Sequence, residues 1–219
     1  MIFILCPKES DRDKYWDWSK YKRIEGLWKT NPLLEAREHR YRFRQNASRL
    51  YKNGVIACTD NHLSILQMIV DHKLNNIYIG EDDMVIDEKR LEETSNKLKQ
   101  DGITWLCYNL KPPLIKDWGK VDVSHLLDRT EGIHEKPDNL FFGSAGFYYI
   151  PRWQVAEKIL QNMYTKSGNY LISNMIDVLL NKVVNVKKYY VYPPVGVERI
   201  GLPSTLYKKI NNEGSSVRD

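Results

Sequence analysis

Ile77-Tyr78-Ile79-Gly80-Glu81-Asp82-Asp83-Met84-Val85-Ile86-Asp87 is the stretch that sets the fold class of this chain. An apolar, β-prone run ends abruptly in three consecutive acids. A buried strand that stops in an acidic cluster delivers carboxylates to one edge of a sheet, which is where open α/β sheets hold their ligands. Oxygen donors there suit a hard divalent cation and, through it, a phosphorylated substrate. If strand alternation persists, Glu81 and Asp83 share a side and Asp82 faces the other way. A solvated acidic turn is the plainer account of the same three residues.

Working outward, Ile2 to Cys6 reads as a first strand, closed by Pro7. Asn31-Pro32 starts a helix over Leu33 to Tyr51, which Asn53-Gly54 is expected to break. Thr59 or Asp60 then caps a second helix, with Leu63, Leu66, Met68, Ile69 and Val70 on its apolar face. Glu88 to Gln100 reads as an exposed helix and Ile103 to Leu110 as a strand. A long polar loop, holding Gly119, Gly132 and Pro137, runs from Pro112-Pro113 to about Asn139. Leu140 to Ile150 is a strand, Arg152 to Tyr164 and Leu171 to Val183 are helices, and Val186 to Tyr192 is a last strand. Strands alternating with helices predict an α/β fold with a mostly parallel central sheet flanked by helices. The expected organisation is one domain over 1–210 and a flexible tail over 211–219.

Composition excludes little but points the same way. The chain has 219 residues, 42% hydrophobic and 28% charged, with a net charge of +5. That mild excess suits an anionic small substrate and does not demand nucleic acid. Cys6, Cys58 and Cys107 are scattered and odd in number, as expected of reduced thiols. The start lacks the basic lead-in and length of a signal peptide, and no run is long enough to span a bilayer. The expectation is a soluble, cytoplasmic protein.

Several segments, in order, resemble glycosyltransferase family 25, the lipopolysaccharide-biosynthesis type. They are Cys58-Thr59-Asp60-Asn61-His62-Leu63-Ser64-Ile65, then Gly80-Glu81-Asp82-Asp83-Met84-Val85, then Phe142-Gly143-Ser144-Ala145-Gly146-Phe147-Tyr148-Tyr149-Ile150, then Ile176-Asp177 and Val191-Tyr192-Pro193-Pro194-Val195. The similarity covers most of Ile2 to Val195. The chain is also similar in size and style to virus-encoded capsid glycosyltransferases of large algal viruses, which would put it in a host-cell cytoplasm.

The resemblance implies a single GT-A-like domain that binds a nucleotide sugar, most simply a UDP-sugar, with Mn2+ or Mg2+ on the donor diphosphate. It makes Asp83 the first metal ligand, with Glu81 beside it or with Glu81 and Asp82 touching water or ribose. Cys6, Lys8 and Arg12 at the end of the first strand, together with His62, are then expected around the donor nucleotide. Ser144, Ala145 and Gly146 line the sugar and acceptor pocket. Asp177, an acid on an otherwise apolar helix, is the candidate general base of an inverting reaction; it is equally read as a structural, paired Asp. The implied partners are the UDP-sugar and a glycan or glycoprotein acceptor, with no nucleic acid and no membrane span.

The chain departs from the family pattern at Asn61, at Ser144 and at Cys6-Pro7-Lys8, and no histidine follows His134 to complete a metal site, leaving Glu198, water or the tail for that role. Two rival readings stand beside this one. A metal-dependent nucleotidyltransferase or phosphohydrolase also needs acids at a strand end, but lacks its glycine-rich phosphate loop here. A nucleic-acid- or glycan-binding module would use the basic segment Arg37, Arg40, Arg42, Arg44, Arg49 and Lys52, which Glu35 and Glu38 dilute.

Overall fold

The acidic run is a strand, and its alternation divides the core. Ile77 and Ile79 pack under one face of a seven-stranded sheet, while Tyr78 packs under the other. The computed structural model describes residues 1–43, 45, 47–111 and 126–199. In chain order the elements are β1 (Ile2–Leu5), β2 (Lys22–Ile24), α1 (Leu33–Arg37), α2 (Arg49–Asp71), β3 (Asn75–Glu81), β4 (Met84–Ile86), α3 (Glu88–Ser95), β5 (Gly102–Lys111), β6 (Gly132–Glu135), β7 (Phe141–Arg152), α4 (Trp153–Asn162), α5 (Ile176–Lys182), β8 (Lys187–Tyr192) and β9 (Gly196–Glu198). The expected tail over 211–219 and Gly119 lie outside the described residues.

The sheet order is β2-β1-β3-β7-β5-β8-β6, and β4 pairs with β9 in a separate ribbon. The β1–β2, β1–β3 and β5–β8 pairs are parallel; the β3–β7, β5–β7 and β6–β8 pairs are antiparallel. The sheet is therefore an even mixture rather than mostly parallel, because β7 runs against both of its neighbours and β6 runs against β8. The expected α/β class, with a GT-A-like sheet between helices, holds. One face carries the helices α2, α4 and α5, packed on Phe3, Ile79, Trp105, Tyr148 and Ile150. The other carries α3 and the ribbon, through Leu91, Met84 and Val195 against Tyr78, Phe147 and Tyr149.

Two helix expectations are corrected. The helix begun at Asn31-Pro32 stops at Arg37 and passes through a 3-10 turn, Glu38–Arg40, to an extended Tyr41. Arg37, Arg40 and Tyr41 all turn onto the buried Asp60 carboxylate, and that convergence ends the helix. A new helix starts at Ser48, whose side chain accepts from Tyr51 N, and it runs straight through Asn53-Gly54. One interior glycine costs about 1 kcal/mol. Burial of Val55, Ile56, Leu63, Ile65, Leu66 and Ile69 returns roughly 1.5–3 kcal/mol each. Thr59 and Asp60 are thus mid-helix rather than caps; Thr59 instead donates to the carbonyl of Asn174 at 2.8 Å. The long loop after Pro112-Pro113 also contains a strand, β6, which pairs with β8.

Candidate functional site

Strand directions bring one set of side chains to a single edge. β1, β3 and β5 all run toward it, so Cys6, Glu81 and Asn109 sit at their carboxyl ends. β7 runs away from it, so its early residues Ser144, Ala145 and Gly146 lie there too. The β4–β9 ribbon adds Glu198, whose register partner is Met84, directly after Asp83.

The acidic trio does not continue the strand. Glu81 ends β3, and Asp82 and Asp83 form a turn leading into β4. The simple alternation expected for the three acids is therefore lost, and each acquires its own surroundings. Asp82 is buried; its carboxylate accepts from Arg12 Nη1 at 2.7 Å and from the hydroxyl of Ser10. Asp83 Oδ2 lies 3.3 Å from the same Arg12 nitrogen. Its Oδ1 is buried with no hydrogen-bond partner among the described residues. Burial first, then the charge of Glu81, with further pushes from Asp82 and Glu198, raises the Asp83 carboxyl to about 8 against the pull of Arg12.

Glu81 turns the other way. His62 Nε2 stands 3.0 Å from Glu81 Oε1, and the thiol of Cys58 donates to the same oxygen at 3.6 Å. Burial alone would raise the Glu81 carboxyl. Those hydrogen bonds, the His62 charge and Arg12 hold it below the usual range. Because a carboxylate only accepts, Nε2 carries the hydrogen, and the hydroxyl of Tyr148 lies 2.9 Å from Nδ1. His62 is fully buried, and its ring is held between Glu81 and Tyr148 rather than turned to the donor side of the acid corner.

The remaining expected residues fall into two groups. Asp177 is buried in the first turn of α5, where its Oδ1 accepts from Val178 N at 2.8 Å, and its charge is felt at Cys58. It therefore belongs to the same neighbourhood. Ser144 has φ +68°, and its hydroxyl accepts from Gly146 N at 3.0 Å. A Cβ on Gly146 would stand 2.7 Å from Met84 Sδ, so a larger residue there would force Met84 or Ser144 to shift. Cys6, by contrast, is fully buried, and its backbone N–H and C=O are engaged by Ile24 and Arg23; burial first, then Asp82, pushes its thiol up to about 11. It shapes the strand end without facing outward. Lys8 is exposed.

Sequence reading missed Asn109, Tyr148 and Cys58 as members of the site. Asn109 is buried; its Nδ2 donates to Glu198 Oε1 at 3.2 Å, and its Oδ1 has no partner among the described residues. A polar residue near the end of an otherwise apolar strand was the available signal. Cys58 and His62 stand four residues apart on one helix face, which was another.

The model of glycosyltransferase family 25 (LPS biosynthesis protein) matches residues 19–131, slightly more than half of the chain. The chain belongs to glycosyltransferase family 25. The match takes in His62 and the acidic trio, and it carries the expectation of a glycosyltransferase with a sugar donor and an acceptor. No curated protein matches the chain. Among solved structures, the chain is similar to one titled "Crystal Structure of A197 from STIV", at 14% identity and TM-score 0.39, over 91% of this chain and 84% of that one. Among the described residues, no helix of this family member is long and apolar enough to cross a membrane.

Proposed function

We propose that this chain is a metal-dependent hexosyltransferase that moves a sugar from a UDP-sugar to a hydroxyl of a glycan or glycoprotein. The observation that carries this reading is the pair of buried side-chain oxygens without partners among the described residues, Asp83 Oδ1 and Asn109 Oδ1, with Asn109 Nδ2 bonded to Glu198 and the Glu198 charge felt at Asp83. Buried polar atoms without protein partners are uncommon, and two acceptors of this kind near further acids suit a bound ion or water. Three oxygen donors with excess negative charge fit Mg2+ or Mn2+, which keep further positions for water and phosphate. The crowding that holds the Asp83 proton on is relieved by a cation. Asp83, Glu198 and Asn109 would hold the ion, and Glu81 would act beside it rather than on it.

A bound Mn2+ or Mg2+ would supply positive charge against the diphosphate leaving group. Arg12 fixes Asp82 and Asp83 in place from the first strand's end. Gly146 lets Met84 of the ribbon pack close on β7, and Ser144, in its left-handed turn, would present the neighbouring backbone to the donor sugar. Asp177 would receive the proton of the attacking acceptor hydroxyl. The three free cysteines suit a reducing, cytoplasmic setting.

The test is a thermal-shift series with UDP, other nucleoside diphosphates and Mn2+. At 100 times Kd, UDP with Mn2+ stabilises by about 2.7 kcal/mol, about 5–10 °C for a chain this long. UDP or Mn2+ alone is expected to give much less, and Asp83→Ala to abolish the joint shift. A joint shift that survives in Asp83→Ala removes the proposed ion site.

A further inference from the structure

Three side chains behind the acid corner form a second donor set, apart from the proposed ion position at Asp83. Cys58 Sγ, the ring nitrogen of His62 and a Glu81 carboxylate oxygen all lie within 4.8 Å of one another. Cys58 and His62 come from one face of α2, and Glu81 from the end of β3. We propose that Cys58, His62 and Glu81 form a site for a thiophilic divalent cation of the Zn2+ class, separate from the oxygen-only position at Asp83.

The geometry is compatible. Zinc bonds of about 2.0–2.3 Å in a tetrahedral arrangement place neighbouring donors roughly 3.3–3.6 Å apart. The Cys58–Glu81 separation is 3.6 Å, the His62–Glu81 separation of 3.0 Å must open by a few tenths of an ångström, and the Cys58 and His62 donors lie within 4.8 Å of each other. Thiolate, imidazole and carboxylate together select Zn2+ over Mg2+, whereas the oxygen-only set at Asp83 selects the reverse. The support behind the ligands is present as well. Tyr148 is buried at 2.9 Å from His62 Nδ1, the outer partner that fixes ring orientation in histidine metal sites. A way in exists, since the Glu81 side chain is 28% exposed and Cys58 is partly exposed.

The protons balance simply. On binding, the Cys58 thiol loses its hydrogen to solvent and its sulfur bonds the ion. The His62 hydrogen leaves Nε2, which becomes the ligand, while Nδ1 is protonated and donates to the Tyr148 oxygen. Glu81 binds as the carboxylate it already is. Starting from the neutral His62 ring, whose hydrogen only changes nitrogen, one proton is released per ion. Burial, then the charges of Glu81 and Asp177, keeps the Cys58 thiol protonated without metal, so this release is observable near neutral pH.

The experiment titrates Zn2+ and, separately, Co2+ into the full chain. Binding heat and proton release are followed for Zn2+, and near-ultraviolet thiolate-to-cobalt absorbance for Co2+. One equivalent is expected, with a thiolate band that Cys58→Ser removes and Cys6→Ser leaves intact. Tyr148→Phe keeps all three ligands and is expected to weaken Zn2+ binding about tenfold. A Co2+ complex without a thiolate band, or a band that survives Cys58→Ser, overturns the assignment. The readout is spectroscopic and uses no UDP-sugar, so its failure is distinct from failure of the transferase reading.

Discussion

Arg12 Nη1 lies 2.7 Å from Asp82 Oδ1, joining residues seventy positions apart at the exits of β1 and β3, with side chains only 5% and 6% exposed. A buried pair broken from one side leaves an uncompensated charge, at about 3–5 kcal/mol. Arg12→Met is expected to lose that much in urea unfolding at neutral pH. Adding Asp82→Asn in the same chain should return a substantial part, because the orphaned charge is gone. A loss under about 1 kcal/mol in the single variant would mean that water screens the pair.

Gly146→Ala tests the fit between sheet and ribbon. The new methyl meets Met84 Sδ at 2.7 Å and Ser144 Oγ at 2.8 Å, and Met84 is fully buried. Overpacking of this kind costs about 1–3 kcal/mol. The strain displaces the ribbon that carries Glu198, so transfer should fall more than stability alone explains. Met84→Ala in the same chain is expected to restore transfer in part; a double variant no better than Gly146→Ala would refute the coupling.

Asp60 should prove a structural anchor. It is 2% exposed, accepts from the Tyr41 hydroxyl, and lies 2.9 Å from Arg37 and 3.0 Å from Arg40. Asp60→Asn gives up both charge-assisted contacts and is expected to cost about 3 kcal/mol. Arg37→Met leaves Arg40 in place and removes a side chain 35% exposed, so its cost should stay within about 1 kcal/mol. Equal losses in urea titrations would contradict this division.

Lys136 gives the chain a pH signature. It is 7% exposed, donates to the Pro137 carbonyl at 3.1 Å, and lies 5.5 Å from the ring of Phe142. Burial, then the charge of Lys188, pushes its ammonium down to about 8 from the ordinary 10.5. Between those values the unfolded chain holds more protons, so stability rises with pH; below about 8 the contribution is flat and unfavourable. Lys136→Met removes the penalty. Its melting-point advantage should be greatest at pH 7 and shrink toward pH 10.5; an advantage independent of pH would assign the effect to packing alone.

What could be read from residues alone follows their range of interaction. The apolar runs at Ile2 to Cys6, Ile77 to Glu81 and Val186 to Tyr192 are strands because their character is local, and they give the α/β class directly. The ends of α1 and α2 were misplaced because partners distant in the chain decide them: Asp60 pulls Arg37, Arg40 and Tyr41 together, and Asn53 finds the Lys29 carbonyl at 3.0 Å. The same holds at the site. Glu81, Asp82 and Asp83 were visible as a cluster, and Asp177 as an odd acid on an apolar helix. Their division between Arg12 and His62 was not visible, since it depends on a turn at Asp82-Asp83 and on strands that meet only in the fold.

The β4–β9 ribbon sets a schedule for the newly made chain. Every strand of the large sheet precedes Gly196 in the sequence, whereas Glu198 comes opposite Met84, next to Asp83, through this last short pairing. During synthesis the sheet can therefore assemble while the acid corner still lacks its final carboxylate. If Asp83 holds the proposed cation, its capture waits until translation has passed residue 198, and donor affinity is then among the last properties a ribosome-bound chain acquires.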